Sequence, residues 1–406
     1  MASFRMGQVE IPEKGLALTL MGGGAKGAYH LGVWEVFRQL DIPVCAITGT
    51  SIGAIDGALW TQGDFDRALE TWYSVSMADV IKADDLADSS GNILDPRNIA
   101  VITQKLIRER GLDTGPLRET LAALVREDVI RASSIAFGMT AFHAATLTTK
   151  EVFVDEIPEG QVVDYLMASA CLPIFKPVVL GGQEFYDGGF GDNMPVRMLM
   201  NRGYRDILVV DIGGIGVVKP VLFPRAKITT LRHSMPLGGV LDLNHQVLDE
   251  SRQLGRLDTL RLFGRLSGRL FFLEPEALDQ MNRHFSRYTL DGLEEAGVLL
   301  GLDRRRIWQG EDFLAALWEA YHAYAPRYAQ IRSSLPHENL LREMAQERSQ
   351  VAESIGPFRL CVAMELLQES WLSPLWKPAR PVPFLEPVRH GAEAMLALLK
   401  LYQIEP

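Results

Sequence analysis

Two stretches near the N-terminus decide the fold: LALTLMGGGAKG at residues 16–27 and VCAITGTSIG at residues 44–53. Each stretch opens with an apolar run of the length of a buried strand and continues into a turn that contains glycine. Between them, the residues from about Gly27 to Leu40 repeat apolar side chains with a helical period. This strand–helix–strand order predicts two parallel strands joined by a right-handed crossover, and therefore an α/β fold.

The rest of the chain divides into a mixed part and a helical part. Up to about residue 303 the pattern predicts helices at 65–80, 95–110, 115–127 and 160–170, strands at 134–142, 151–154, 206–212 and 269–273, a turn at 148–150 and a hairpin at 177–186. Beyond residue 304 the strand signals fade, and helical patterns occupy 311–324, 338–354 and 391–402. We therefore expect an α/β domain over residues 1–303 and a helical C-terminal extension over residues 304–406.

Composition excludes several classes of protein. The chain carries 41 Lys and Arg against 51 Asp and Glu, a net charge of −10, whereas nucleic-acid binding depends on a basic surface. Residues 1–15 contain no apolar segment typical of a secretory signal, and no apolar run approaches the ~20 residues that span a bilayer. The three isolated cysteines, Cys45, Cys171 and Cys361, indicate neither a disulfide framework nor a metal site. We expect a cytoplasmic protein that meets lipid only from the membrane surface.

The second stretch contains Gly49-Thr50-Ser51-Ile52-Gly53, which matches the G-x-S-x-G pattern of a nucleophile elbow. It lies between a predicted strand and a predicted helix, as such an elbow requires. Small residues at 49 and 53 allow the strained turn to approach neighbouring backbone, and the start of the helix stabilises negative charge. Ser51 is therefore the candidate nucleophile, with Gly49 and Gly53 as supporting residues. The alternative is a serine that only caps the helix.

The first stretch contains a glycine loop that indicates anion binding. Consecutive glycines allow backbone N–H groups to converge on one point, so the loop is a candidate oxyanion hole made of Gly22, Gly23, Gly24, Ala25, Lys26 and Gly27. The same residues fit the G-x-G-x-x-G fingerprint of a dinucleotide-binding oxidoreductase, with Asp41 near the offset of a ribose-binding acid. Asp41 precedes the strand at 44–48, however, and ligands bind at the carboxyl ends of such strands. This alternative also leaves Ser51 unexplained.

A serine nucleophile needs a general base, and the sequence offers no evident histidine for that role. None of the eight lies in an evident loop after a predicted strand, as a triad histidine would: His30, His143, His233, His245, His284, His322, His337 and His390. Asp187 instead lies on a glycine turn after a predicted strand, followed by Gly188 and Gly189. Because an exposed carboxylate is a weak base toward an alcohol, an ordinary Asp-Gly turn is the alternative role for Asp187.

Four motifs in this order resemble the patatin-like phospholipase family of bacterial and plant acyl hydrolases. They are the glycine loop at 22–27, the G-x-S-x-G pattern at 49–53, SACLPIFKP at 169–177, and Asp187-Gly188-Gly189 followed by Asn193 and Pro195. Together they cover roughly residues 15–215.

The resemblance implies a three-layer α/β/α core with a mostly parallel sheet, and a Ser–Asp dyad in which Ser51 is the nucleophile and Asp187 the base. It implies hydrolysis of phospholipids or related lipid esters of the phospholipase A or lysophospholipase type, without a metal or cofactor. Acyl transfer to another alcohol would use the same dyad. The chain has Lys26 where many members carry arginine and Met21 where some carry aspartate. Since backbone N–H groups hold the oxyanion, neither departure should abolish activity.

Two segments have features of a membrane-surface contact. Residues 250–271 combine five arginines with leucines in an amphipathic pattern, and Trp371 and Trp376 flank a proline-rich strap. Each segment also fits an ordinary role, as a solvated helix face or as a strap packed over the core. The acidic stretch at 82–95 is typical of a solvated flap rather than of a metal site. The head group, the acyl chain and the oligomeric state stay open.

Overall fold

The computed structural model describes residues 3–82, 104–106, 108–221, 226–335, 355–368 and 386–404. Contacts between residues divide the chain into two compact units, Met1–Phe263 and Gly264–Pro406. This division lies before the boundary that the sequence predicts near residue 303. The reason is that residues such as Phe271 and Leu293 are buried in the hydrophobic core of the second unit, so the segment from 264 to 303 packs with the helical part.

The first unit contains the elements that build the candidate site. Its strands are β1 (Ser3–Met6), β2 (Val9–Pro12), β3 (Leu16–Leu20), β4 (Val44–Thr50), β5 (Ala136–His143), β6 (Thr148–Phe153), β7 (Val178–Leu180), β8 (Gln183–Asp187), β9 (Asp206–Asp211) and β10 (Lys227–Arg232). Its helices are α1 (Ala28–Gln39), α2 (Ile52–Gln62), α3 (Phe65–Ser74), α4 (Gly115–Leu124), α5 (Glu127–Ala132), α6 (Val162–Ser169), α7 (Val196–Asn201) and α8 (His245–Leu262).

The central sheet is mostly parallel. Its strands follow the order β10-β9-β3-β4-β5-β8-β7, and β6 pairs with β5. The pairs from β10 to β5 are parallel, whereas β6, β7 and β8 form antiparallel pairs. Helices flank the sheet, so the predicted α/β class is confirmed. All five residues of β3 are buried, which explains why four of them are apolar. The fifth, Thr19, shares a hydrogen bond with the Thr48 hydroxyl at 3.2 Å.

One local prediction is wrong, and strand β10 was missed. The turn predicted at 148–150 belongs to β6, because the turn lies earlier, where the Leu147 N–H donates to the His143 carbonyl at 3.0 Å and Leu147 takes a φ of +55°. The strand β10 was not predicted, since most of its residues are exposed or half-buried and it lacks an apolar run. Most of the helix predicted at 95–110 and of the flap predicted at 82–95 lies outside the described residues.

Helix α8 covers most of the segment at 250–271 and packs closely against α1. A Cβ atom at Gly32 would lie 1.9 Å from the Arg252 carbonyl oxygen, which shows how closely the two helices approach. Leu254 and Leu257 of α8 are buried, and Arg252 and Arg256 both pair with the Glu35 carboxylate. The apolar side of this helix is therefore packed within the first unit.

The second unit is built mainly of helices. Strands β11 (Phe272–Leu273) and β12 (Ile307–Trp308) form one short pair, and the helices are α9 (Pro275–Met281), α10 (Arg287–Leu299), α11 (Gly310–Ser334), α12 (Ile355–Gln368) and α13 (Glu386–Ile404). The helices predicted at 311–324 and 391–402 are confirmed as parts of α11 and α13. Helix α12 was not predicted, because it is apolar on most sides and so gives no amphipathic stripe. The helix predicted at 338–354 and the Trp371–Trp376 strap lie outside the described residues. No helix in the described ranges is long and apolar enough to cross a membrane.

Candidate active site

Ser51 occupies the sharp turn between β4 and α2. Its φ is +55° and its ψ is −126°, a conformation that costs ~1–3 kcal/mol for a residue other than glycine. The surrounding backbone is so close that a Cβ atom at Gly49 would lie 2.1 Å from the Gly53 carbonyl oxygen, and one at Gly53 would lie 2.2 Å from the Leu20 carbonyl oxygen. A strained serine between two obligatory glycines is the geometry of a nucleophile elbow.

Strand β5 brings Asp187 next to this turn. β4 runs parallel to β5, and its last residue, Thr50, pairs with Thr140. β8 runs antiparallel to β5, and its last residue, Asp187, pairs with Ala141. Strand β6 pairs with one edge of β5 over residues 138–143, so β4 and β8 both lie along the opposite edge. Their carboxyl ends meet there. Two residues that are distant in the sequence thus become neighbours.

The last residue of α6 and the segment that follows it support both residues. Ser169 Oγ accepts the Ser51 N–H at 2.9 Å, and the Cys171 carbonyl accepts the Asp187 N–H at 2.7 Å. Ser169 is fully buried, so water does not compete for its hydrogen bond. The motif at 169–177 stood out in the sequence only by resemblance, and nothing in the sequence indicated that it contacts Ser51.

Burial controls the charge of Asp187. Only 4% of this residue is exposed, and the burial raises the pKa of its carboxyl from 3.8 to about 6, with the Ser51 hydroxyl and the Gly189 N–H opposing the rise. Oδ1 accepts the Gly189 N–H at 2.8 Å, whereas Oδ2 is buried with no hydrogen-bond partner among the described residues. The Ser51 hydroxyl therefore lowers the pKa of the carboxyl without forming a fully aligned hydrogen bond. Such loose geometry is common in catalytic pairs before substrate binds.

The glycine loop offers fewer free donors than the six residues predicted from the sequence. The N–H groups of Gly22, Ala25 and Lys26 donate to carbonyl oxygens of the protein, and the loop continues into a 3-10 turn at Gly24–Gly27. The N–H groups of Gly23 and Gly24 have no partner among the described residues. Gly24 has a φ of +58°, and a Cβ atom there would lie 2.1 Å from the Val240 carbonyl oxygen, so this position requires glycine. The loop can therefore present two adjacent N–H groups to an anion.

Two side chains hold the loop in place. Lys26 Nζ donates to the Gly213 carbonyl at 2.8 Å, so its cation is engaged in a structural contact. Asn193 Nδ2 donates to the Gly22 carbonyl at 3.2 Å and to the Ile215 carbonyl at 3.3 Å. Asn193 is buried, and it connects the glycine loop to the block that contains Asp187. The sequence indicated neither tether.

The structure places Asp41 far from the glycine loop. The Pro43 carbonyl accepts the Leu16 N–H at 2.9 Å, which ties the residues after Asp41 to the beginning of β3. Gly22 follows the end of the same strand, and five residues of strand extend about 17 Å. The dinucleotide fingerprint therefore lacks its acidic partner at the loop.

No histidine of the described residues lines the cavity that contains Ser51. His30 pairs with Asp56, Nδ1 to Oδ2 at 2.8 Å, and the Trp72 indole donates to the same carboxylate at 3.0 Å. This buried network lies within the packing of α1, α2 and α3. Among the described residues, Asp187 is thus the titratable side chain found to interact with Ser51.

An apolar cavity lies beside Ser51. Helices α2, α3 and α4 and the segments at 170–175 and 240–243 line it, and the described side chains around it are apolar except for Ser51, Thr71 and Thr120. A cavity with this lining can accommodate a hydrocarbon group next to the serine hydroxyl.

Comparison with known proteins finds a family model that covers the four motifs. Residues 18–200 match the family model of the patatin-like phospholipases, which confirms the resemblance found from the four motifs. A patatin-like phospholipase domain-containing protein of Caenorhabditis elegans is 27% identical over 208 residues, 49% of this chain and 14% of that protein. A lysophospholipase, NTE1, of Mycosarcoma maydis is 27% identical over 212 residues, 50% of this chain and 10% of that protein. The match thus spans less than a sixth of the length of these relatives.

The crystal structure of VipD from Legionella pneumophila aligns with a TM-score of 0.40 at 12% sequence identity, covering 99% of this chain and 90% of that chain.

Proposed function

We propose that this chain, whose residues 18–200 match the patatin-like phospholipase family, is a serine hydrolase of lipid acyl esters. The observation that carries the proposal is the meeting of the strained Ser51 with the buried, unpartnered carboxylate oxygen of Asp187 beside an apolar cavity. Both features cost folding stability, and such costs concentrate at catalytic sites. The names of the relatives, which include phospholipase and lysophospholipase, agree with this chemistry.

The first step of the proposed reaction forms an acyl-enzyme. Asp187 takes the proton of the Ser51 hydroxyl as Oγ attacks the ester carbonyl carbon. The N–H groups of Gly23 and Gly24 donate to the oxyanion, and each such donor is typically worth ~2.7–4 kcal/mol of the barrier. When the tetrahedral intermediate collapses, the ester C–O bond breaks and Asp187 returns the proton to the leaving alcohol.

The second step releases the acyl group. Asp187 takes a proton from a water molecule, whose oxygen attacks the acyl carbonyl. The carboxylic acid leaves, and Ser51 regains its proton from Asp187. An alcohol in place of water would give acyl transfer through the same steps, and no contact in the site distinguishes the two acceptors.

The test measures fatty acid released from a panel of phospholipids, lysophospholipids and acylglycerols in mixed micelles. Wild type should release fatty acid from at least one class. Ser51→Ala should lower the rate of release by ~10³-fold or more, because without the nucleophile only the catalysis supplied by the rest of the site remains. Absence of release from every lipid by wild type, or equal release by Ser51→Ala, would refute the proposed function.

A further inference from the structure

An exposed apolar patch lies at the edge of the sheet that carries Ser51. We call it the rim patch, and it consists of Phe190, Ile215, Val217 and Val218, which are 46%, 87%, 50% and 46% exposed. Phe190 comes after β8, and the other three come after β9. Because β9 runs parallel to β3 and β3 runs parallel to β4, the segment after β9 starts at the edge where β4 leads into Ser51. The topology of the sheet therefore puts the rim patch beside the candidate site.

Backbone hydrogen bonds join the two parts of the rim patch. The Val217 N–H donates to the Gly189 carbonyl at 2.8 Å, and the Val217 carbonyl accepts the Asn193 N–H at 2.6 Å. Gly189 and Asn193 lie on either side of Phe190 in the sequence, so the turn that contains Phe190 packs along the segment at 215–218. The four exposed residues thus belong to one surface.

The rim patch is fixed to both halves of the candidate site. A Cβ atom at Gly214 would lie 1.7 Å from the Gly22 carbonyl oxygen, so the segment that carries the patch packs directly on the glycine loop. Gly189, whose carbonyl accepts the Val217 N–H, donates its own N–H to the Asp187 carboxylate at 2.8 Å. A partner bound to the rim patch is therefore held next to the glycine loop and the proposed dyad.

The rim patch offers no charge to a partner. The sequences around it, GGF at 188–190 and IGGIGVV at 212–218, contain no charged residue, although exposed turns usually carry polar side chains. Lys219 follows directly, and its Nζ donates to Thr149 Oγ1 at 3.0 Å. The whole chain has a net charge of −10, which opposes attraction to an anionic surface. The patch therefore fits a partner without net charge.

The size of the rim patch favours a lipid surface over a second protein. Its exposed fractions together amount to little more than two complete side chains, or on the order of 300 Å² of apolar surface. A stable interface between proteins takes roughly 800 Å² from each partner, so the patch is too small to hold a second copy of this chain. A few apolar side chains are enough for reversible contact with a lipid surface, because insertion removes them from water.

We infer that the rim patch docks this chain on a zwitterionic lipid surface by inserting its apolar side chains. The inference rests on the proposed function, since a hydrolase of lipid acyl esters meets its substrate in such a surface. Docking here sets the candidate site against the lipid, so that an ester reaches Ser51 without crossing bulk water. The sequence indicated membrane contact at other segments, 250–271 and 371–376, and did not point to this loop.

Flotation of the full chain with phosphatidylcholine vesicles tests the docking surface. Ser51→Ala serves as the parent chain, so that hydrolysis cannot change the vesicles. Ile215→Asp and Val218→Asp, each added to this parent, should lower the partition coefficient by about tenfold or more, because each replaces an inserted apolar side chain with a charge. An increase of about tenfold in the salt concentration should leave binding of the parent unchanged within about twofold, since the patch is uncharged.

Phe4→Asp is the matched control, because Phe4 is 46% exposed, as Val218 is, and lies at the opposite edge of the sheet. It belongs to β1, which pairs with β2, and Glu10 of β2 accepts a hydrogen bond from Lys227 Nζ at 3.0 Å. Lys227 is the first residue of β10, so this hairpin lies where the parallel strands begin. Phe4→Asp should bind vesicles as the parent does. Absence of binding by the parent, binding lost at high salt, or an equal loss in Phe4→Asp would overturn the docking surface.

A hydrolysis assay separates this inference from the proposed function. In the chain that keeps Ser51, Val218→Asp should retain kcat/KM within about twofold on dissolved p-nitrophenyl butyrate. It should lose about tenfold on phosphatidylcholine vesicles that carry the lipid ester hydrolysed best by wild type, because only this substrate requires docking. An equal loss on both substrates, or a wild-type dimer that Val218→Asp separates into monomers, would overturn the docking surface. If wild type hydrolyses no lipid ester, the proposed function fails, whereas flotation still decides whether the rim patch binds lipid.

Discussion

Replacing Asp187 with asparagine should stop turnover and stabilise the fold at neutral pH. Burial raises the pKa of Asp187 from 3.8 to about 6, so between these values the folded protein holds a proton that the unfolded chain has lost. Wild type therefore loses stability as the pH rises through this window. The loss amounts to at most ~3 kcal/mol, at 1.36 kcal/mol per pH unit. The amide of Asp187→Asn does not titrate, and its oxygen can still accept the Gly189 N–H.

Urea unfolding of the full chain at about pH 5 and about pH 8 measures this effect. The free energy of unfolding of Asp187→Asn, relative to wild type, should increase by about 1.4 kcal/mol between these two conditions, because about one pH unit separates pH 5 from the raised pKa of about 6. Asp192→Asn is the matched control, because burial also raises the pKa of Asp192 to about 6 and its side chain is not part of the proposed dyad. It should show a similar gain in stability and keep lipid hydrolysis. Two results would refute the reasoning. One is a difference in unfolding free energy between Asp187→Asn and wild type that does not change with pH, and the other is lipid hydrolysis by Asp187→Asn equal to that of Asp192→Asn.

Three further predictions follow from the geometry of the site. Ser51→Gly and Ser51→Ala should both be inactive. In urea unfolding the glycine variant should be more stable than the alanine variant by ~1–2 kcal/mol, because glycine relieves the strain of a φ of +55°. Equal stability of the two variants would contradict this. The kcat/KM of wild type should fall about tenfold per pH unit below about pH 6, since Asp187 becomes protonated below its raised pKa and no longer acts as a base. A fall that begins only near pH 4 would show that the pKa of this carboxyl is not raised. Ser169→Ala should cost ~1–3 kcal/mol in unfolding free energy and lower kcat, because it leaves the buried Ser51 N–H without its acceptor; an unchanged kcat would show that this hydrogen bond does not position the serine.

The sequence was informative where one local segment determines the structure. The run from β3 through the glycine loop to α1, and the turn at Ser51, depend on neighbouring residues, so apolar runs and glycines predict them. The end of the first compact unit was harder to predict. Elements β11 and α10 belong to the second unit because their side chains pack into its core, and their own sequences do not indicate this. The edge strand β10 was missed for a similar reason, since its exposed residues have no apolar pattern.

The arrangement of the candidate site depends on long-range pairing that the sequence does not encode locally. Asp187 reaches Ser51 because β4 and β8 end on adjacent residues of β5. Its raised pKa results from burial, and a sequence-based argument treats the same residue as an exposed, weak base. The acceptor role of Ser169 and the tethering role of Asn193 likewise depend on contacts between distant segments.

Covalent labelling tests most directly whether Ser51 is a nucleophile activated by Asp187. The full chain is treated with an alkyl fluorophosphonate, and the adduct is located by mass spectrometry in wild type, Asp187→Asn and Asp192→Asn. We predict an adduct on Ser51 in wild type and Asp192→Asn, with labelling of Asp187→Asn slowed by about 100-fold or more, as loss of a general base implies. An adduct on another residue, or labelling of Asp187→Asn at the wild-type rate, would contradict the claim.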